Sequence, residues 1–217
     1  MIIIDNNKNS MNITGLTKYF NFSIYESEKM SQLFDVYSDW NCRVNLISRT
    51  DFSHFYERHV LHSLSICKVF AFKPKTQIMD LGTGGGFPGV PLAIMFPSVN
   101  FYLVDSINKK AQAVKEIASS LDLKNVHVIN DRAENVDDKF DFVVCRAVAK
   151  LDKLVAWSMP NISSQNNNAF KNGLICLKGG NLTNEKKHIR YDAIEYHISD
   201  LFEEDFFSEK KIIYLAK

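Results

Sequence analysis

Gln77-Ile78-Met79-Asp80-Leu81-Gly82-Thr83-Gly84-Gly85-Gly86-Phe87-Pro88-Gly89-Val90-Pro91-Leu92 is the stretch from which the fold can be read. Its first five residues make an apolar-rich run of strand length, and its last four open a helix. Between them stand five glycines within the eight residues from Gly82 to Gly89. Glycine at a strand-to-helix turn tolerates positive φ and lets a ligand approach the backbone with no Cβ in the way. A Walker A loop is excluded, because no Gly-Lys-Ser/Thr follows.

Downstream the alternation continues. Asn100–Asp105, Val126–Ile129, Phe140–Cys145 and Asn172–Lys178 read as further strands. Gly89–Phe96, Asn108–Leu121 and Leu151–Met159 are the helix-length stretches between them. Such alternation implies a mostly parallel sheet with helices on both faces. Tyr191–Ile198 and Lys211–Leu215 would close it as an antiparallel pair, for a seven-stranded sheet.

Upstream, Glu26 to Phe72 holds no Gly and no Pro, and apolar residues from Leu33 to Val69 recur at helical spacing. Two amphipathic helices fit, broken near Ser48-Arg49-Thr50-Asp51, with Thr50 or Asp51 as N-cap. The expected organisation is an N-terminal helical extension over 1–72 and an α/β domain over 73–217. The polar strip Ser163–Asn168 reads as a mobile loop.

Composition narrows the class. With 46% hydrophobic and 24% charged residues over 217 positions, global disorder and a pair of large domains are both excluded. The net charge of +1 advertises no polyanion partner for the chain as a whole. Locally, Arg146 to Arg190 carries eight basic and two acidic side chains. Cys42, Cys67, Cys145 and Cys176 show no zinc-ligand spacing and read as reduced, mostly buried thiols. Met1–Asp5 is too short an apolar start for a signal peptide, and no segment reaches the ~18 apolar residues of a membrane span. A cytoplasmic protein with no membrane partner is expected. His54, His59 and His62 share a helix without a third ligand, so they read as surface or satisfied histidines and no metal is expected.

Two readings of the glycine loop fit its spacing. Gly84-x-Gly86-x-x-Gly89, with Asp105 about 20 residues further on, satisfies a dinucleotide fingerprint. Gly82-x-Gly84-x-Gly86, with Asp80 before it and the same Asp105, equally satisfies an S-adenosyl-L-methionine loop. Pro88 removes a backbone N–H near the helix start, which disfavours a pyrophosphate site there. The methyl donor is therefore favoured, with a non-enzymatic dinucleotide-binding sensor as the rival.

Leu81 to Leu92, Leu103-Val104-Asp105-Ser106 with Lys109-Lys110, Arg132-Ala133-Glu134, Cys145 to Ala149 and Leu177-Lys178-Gly179 resemble the bacterial 16S ribosomal RNA guanine-N7 methyltransferase family, also called glucose-inhibited division protein B. Trp40-Asn41, Asn45-Leu46 and Arg58-His59 are similar to its helical N-terminal extension. The likeness covers roughly 38–180. One departure is His62-Ser63, where that family more often has Asp-Ser.

The resemblance implies a Rossmann-like class I methyltransferase fold and methyl transfer from S-adenosyl-L-methionine to a guanine N7 in the decoding region of 16S rRNA, with a methyltransferase for another RNA base or a small molecule as the nearer rival. The substrate would be the rRNA, the small subunit or its assembly intermediate, met by a monomer. It places Gly82, Phe87, Ala133, Glu134 and Arg146 at the donor or reaction site, beside Gly84, Gly86 and Asp105 from the loop reading. Guanine N7 carries a lone pair and no proton, so it needs no base, and Arg146 after the fourth strand is the catalytic candidate. Phe87 at the loop tip would cover the ligand. Lys150, Lys153 and Lys178, in the basic segment, are the RNA-binding candidates.

Overall fold

The computed structural model describes residues 11–217; the expectation about Met1–Asp5 lies outside them. Short α1 (Ile13–Leu16) precedes α2 (Ile24–Asn41), which starts on a capping box: the Ser23 hydroxyl accepts from Glu26 N–H while the Glu26 carboxylate accepts from Ser23 N–H. Met30, Leu33 and Tyr37 put its buried face inward at spacings of three and four. After α3 (Arg49–Phe52) comes a wider, π-helical stretch, Phe55–Leu61, which runs into α4 (His62–Val69).

The sheet follows. Strands β1 (Gln77–Leu81), β2 (Asn100–Val104), β3 (Val126–Ile129), β4 (Phe142–Arg146) and β5 (Gly173–Gly179) are parallel. Helices α5 (Gly89–Met95), α6 (Asn108–Ser120) and α7 (Leu151–Ser158) connect them, and short α8 (Thr183–Lys186) leads to β6 (Ala193–His197). β7 (Lys210–Ala216) lies antiparallel between β5 and β6, so the order is β3-β2-β1-β4-β5-β7-β6. The direction of winding reverses between β1 and β4. In an open α/β sheet the ligand crevice forms outside the carboxyl ends of the strands at that point. The glycine loop after β1, Asp105 after β2 and Arg146 closing β4 all arrive at that edge.

The N-terminal helices join the core on one face of the sheet, where Leu33, Tyr37 and Leu64 share a buried cluster with Val90, Leu103 and Val114. Three expectations need correction. The cap of α3 is Ser48, whose hydroxyl accepts from Asp51 N–H at 3.1 Å, and neither Thr50 nor Asp51 caps a helix. The Ser163–Asn168 strip is tied down: buried Asn172 donates to the carbonyls of Ser163 and Gln165, and Asn168 Oδ1 accepts from Lys73 N–H and Thr76 Oγ1. Its asparagines satisfy backbone groups, which composition alone could not reveal. Cys42 is exposed, whereas Cys145 and Cys176 face each other in register across β4 and β5.

Candidate active site

At the carboxyl edge of the sheet lies a pocket of about 850 Å³. The glycine loop makes its floor. Gly84 has φ +59, and a Cβ there would meet nothing nearer than the Gly82 carbonyl at 3.9 Å, so this position faces open pocket. Its N–H donates to Asp105 Oδ2 at 2.8 Å, while Asp105 Oδ1 accepts from Ile107 N–H at 2.8 Å. Each carboxylate oxygen keeps a lone pair for a ligand hydroxyl. Gly86 is different and corrects the sequence assignment. It does not line the pocket; a Cβ there would stand 2.8 Å from both the Tyr37 hydroxyl and Val90 Cγ2. Its glycine identity serves packing beneath the loop.

Asp80 Oδ2 accepts from the Thr83 hydroxyl at 2.6 Å and from Gly89 N–H at 2.8 Å, and Oδ1 is buried without a protein partner. The first amide of α5 is thus already occupied by a carboxylate. A pyrophosphate, which needs such a helix start, would meet a buried negative group instead. Burial pushes the Asp80 carboxyl up to about 6 from 3.8. The folded protein therefore holds this proton more tightly than the unfolded chain, and stability from Asp80 falls as pH rises from about 4 to about 6. Asp80→Asn is expected to flatten that part of the melting-temperature profile; an unchanged profile would show that Asp80 does not titrate there.

Arg146 forms the opposite wall. One Nη donates to the Arg58 carbonyl at 3.1 Å, the other meets His59 Nδ1 at 3.0 Å, and the guanidinium lies 4.9 Å from the centre of the Phe87 ring. Among the described residues no carboxylate lies within salt-bridge distance of it. Burial lowers its pKa to about 10, which still leaves it charged at neutral pH. Because guanidinium nitrogens only donate, His59 Nδ1 must accept, which puts the His59 proton on Nε2. Phe87 is buried between Tyr37, Phe55 and His59, so it is a platform for Arg146 and not the ligand cover expected at the loop tip.

His59 and His62 both line the pocket. Burial, then the neighbouring Arg146 charge, lowers His59 to about 3 and His62 well below the usual histidine range, so both are neutral. The expectation of surface or satisfied histidines is thereby corrected: their Nε2 atoms are buried and have no protein partner. No cluster among the described residues would hold a metal ion.

Ala133 and exposed Glu134, after β3, line the same pocket as Asp105 and Asp131. Sequence reasoning missed Leu46, Trp157, Phe206 and Lys210, which also line it. Leu46 reaches it because the Asn41 side chain folds its loop back, accepting from the N–H groups of Leu46 and Ile47. Lys178 is a further correction. Its ammonium is engaged by Glu185 at 2.9 Å and the Ala149 carbonyl at 2.8 Å, whereas Lys150 and Lys153 are exposed.

A sheet with this strand order, one reversed strand and a glycine loop facing an acidic residue after β2 defines a Rossmann-like methyltransferase. Among solved structures, an rRNA methylase from Streptococcus thermophilus superposes with a TM-score of 0.50 at 14% identity over 72% of this chain and 94% of that one. A mutant of MtNAS in complex with S-adenosylmethionine superposes with a TM-score of 0.56 at 10% identity, over 95% and 92%. More particularly, the chain belongs to the rRNA small subunit methyltransferase G family, whose model matches residues 26–204. The ribosomal RNA small subunit methyltransferase G of Phocaeicola vulgatus is 51% identical over 93% of this chain and 97% of its own. That of Bacteroides thetaiotaomicron is 50% identical over 92% and 97%.

Proposed function

We propose that the protein transfers a methyl group from S-adenosyl-L-methionine to N7 of a guanine in 16S rRNA, working in the cytoplasm. The observation that carries the N7 assignment is the Arg146 guanidinium held on the pocket wall by Arg58 and His59, a donor-only group that can grip the acceptor edge of a guanine and takes no proton from it. His59 is neutral with Nδ1 spent on Arg146, and Asp51 is held ionised by Arg58 at 3.0 Å. An exocyclic amine would have to hand a proton to some group as it reacts. A ring nitrogen with a lone pair and no proton has no such need.

The donor fits the other half of the pocket. Gly84 would admit its backbone contact, Asp105 would accept from its ribose, and Gly82, Ala133 and Glu134 would flank its adenosine end. When bound it would supply an electrophilic methyl carried on a sulfonium. Arg146, pinned by Arg58 and His59, would hold the electron-rich edge of the guanine so that N7 faces that methyl. The described part of the N-terminal extension would serve this site by supplying the Arg58–His59 wall. Lys150 and Lys153 stay candidates for contacts to RNA phosphates.

Asp105→Ala is expected to weaken S-adenosylhomocysteine binding by about 1–3 kcal/mol, the loss of hydrogen bonds to a charged acceptor. Calorimetry measures it, and unchanged affinity would remove Asp105 from the donor site. Equilibrium dialysis with NAD tests the rival: affinity for NAD without affinity for S-adenosylhomocysteine would favour a dinucleotide-binding sensor.

A further inference from the structure

Beside the pocket, the loop between α2 and α3 carries a second, open cleft, of about 450 Å³, lined by Asn41, Cys42, Arg43, Asn45, Ser48 and Arg49. Clefts that take ligands are commonly roughly 300–1,000 Å³. Both arginines are exposed, and neither has a carboxylate within salt-bridge distance among the described residues. Of the two acidic residues that flank this loop in the chain, Asp51 is already committed to Arg58 and to the Ser48 hydroxyl, and Asp39 is within salt-bridge distance of neither arginine. The Arg43 guanidinium sits 5.3 Å from the Trp40 ring centre, which gives it a platform while its N–H donors stay free.

The loop is also built to keep its shape. Asn41 Nδ2 donates to the Ile47 carbonyl at 2.9 Å, and its Oδ1 accepts from Leu46 and Ile47. Leu46 lies so close to the glycine loop that a Cβ on Gly85 would stand 3.3 Å from Leu46 Cβ. One edge of this short loop therefore lines the reaction pocket through Leu46, and the other lines the cleft through Asn45 and Ser48.

We propose that the cleft is an RNA-backbone site, in which Arg43 and Arg49 grip phosphates of the strand that carries the target guanine. The proposal rests on the rRNA methyltransferase reading and adds to it a place where the flanking nucleotides run. Two unpaired guanidinium forks on a rigid loop match the bidentate geometry of phosphate oxygens. Asn45 offers further hydrogen bonds to phosphate or sugar. A base delivered to the pocket brings its neighbouring phosphates past this loop, since Leu46 lines the one cavity and the adjacent Asn45 the other.

The test uses the full chain with 16S rRNA and with purified small ribosomal subunits, whichever the wild type methylates. In the double variant Arg43→Gln, Arg49→Gln, KM for RNA is expected to rise at least about tenfold with kcat and S-adenosylhomocysteine affinity unchanged. The slope of log affinity against log salt should fall by about 1.5, as for two lost phosphate contacts. A second measurement needs no variant: RNA should slow alkylation of exposed Cys42 in the wild type at least about fivefold, and S-adenosylhomocysteine should not. If the double variant does not fold, this protection decides alone. Unchanged KM and salt slope, or an unprotected Cys42 in a wild-type enzyme that does methylate the RNA, overturns the proposal. Protection by the assembled subunit but not by naked rRNA, with an unchanged salt slope, would assign the cleft to a ribosomal protein and also overturn it. A wild type that binds S-adenosylhomocysteine yet methylates neither RNA fails the underlying reading instead.

Discussion

Arg146→Ala is expected to cut single-turnover methylation of the RNA by roughly a hundredfold, the scale of loss when a reacting group is misplaced, while leaving S-adenosylhomocysteine affinity nearly unchanged. The guanidinium touches Arg58 and His59 on the N-terminal wall and lies over Phe87, and none of its contacts is to Asp105 or Glu134 on the donor side. Removing it leaves a part-buried carbonyl and a part-buried ring nitrogen without their partner, a penalty of up to about 1–3 kcal/mol each. Relief of the cost of burying a charge offsets part of that. Melting should therefore stay cooperative at a lowered temperature. Arg146→Lys should recover little, because one ammonium on a flexible stem cannot hold both partners while lying over the Phe87 ring. A wild-type rate in the alanine variant would remove Arg146 from the reaction. A parallel loss of donor affinity would move it to the donor side.

Gly84→Val should abolish donor binding in a protein that still folds. At φ +59 a branched side chain is strained by about 1–2 kcal/mol, yet no neighbour blocks it, so its bulk projects into the pocket. Gly86→Ala separates the two uses of glycine in one loop. Its Cβ would collide with Tyr37 and Val90 at 2.8 Å, so the expected result is a loss of stability of about 2–4 kcal/mol from overpacking and positive φ together. Calorimetry with S-adenosylhomocysteine and thermal melting measure both. Unchanged affinity in folded Gly84→Val would discard the loop assignment, and an undisturbed Gly86→Ala would contradict the packing described beneath it.

Much of this architecture was legible in the chain. β1 and β3 begin and end where their apolar runs do, and the others shift by one or two residues. The reason is physical: a strand buried on both faces is a continuous apolar run, and Gly, Asp or Asn punctuates its ends. The loop and Asp105 were legible for the same reason, since their spacing reflects one strand-turn-helix unit. What could not be read is whatever depends on distant parts of the chain meeting. Gly86 looks like Gly84 until Tyr37, from α2, is seen to fill the space above it. His59 looks like a helix-surface residue until β4 brings Arg146 against it, and His62 until Phe206 and Phe207 pack on it. Lys178 looks free until Glu185, seven residues on, folds back to it. A π-helical stretch leaves no mark in an apolar periodicity, so the wall that holds Arg146 was invisible to pattern reading.

The most direct test of the central claim is a single mass measurement. Purified protein is incubated with 16S rRNA or small subunits from a strain lacking the activity and with S-adenosyl-L-methionine bearing a trideuterated methyl, and the RNA is digested to nucleosides. The result expected is one labelled 7-methylguanosine per rRNA molecule, absent without donor and strongly reduced for Arg146→Ala. Label on an exocyclic amine or on another base, or no label in RNA at all from a protein that binds the donor, would contradict the account.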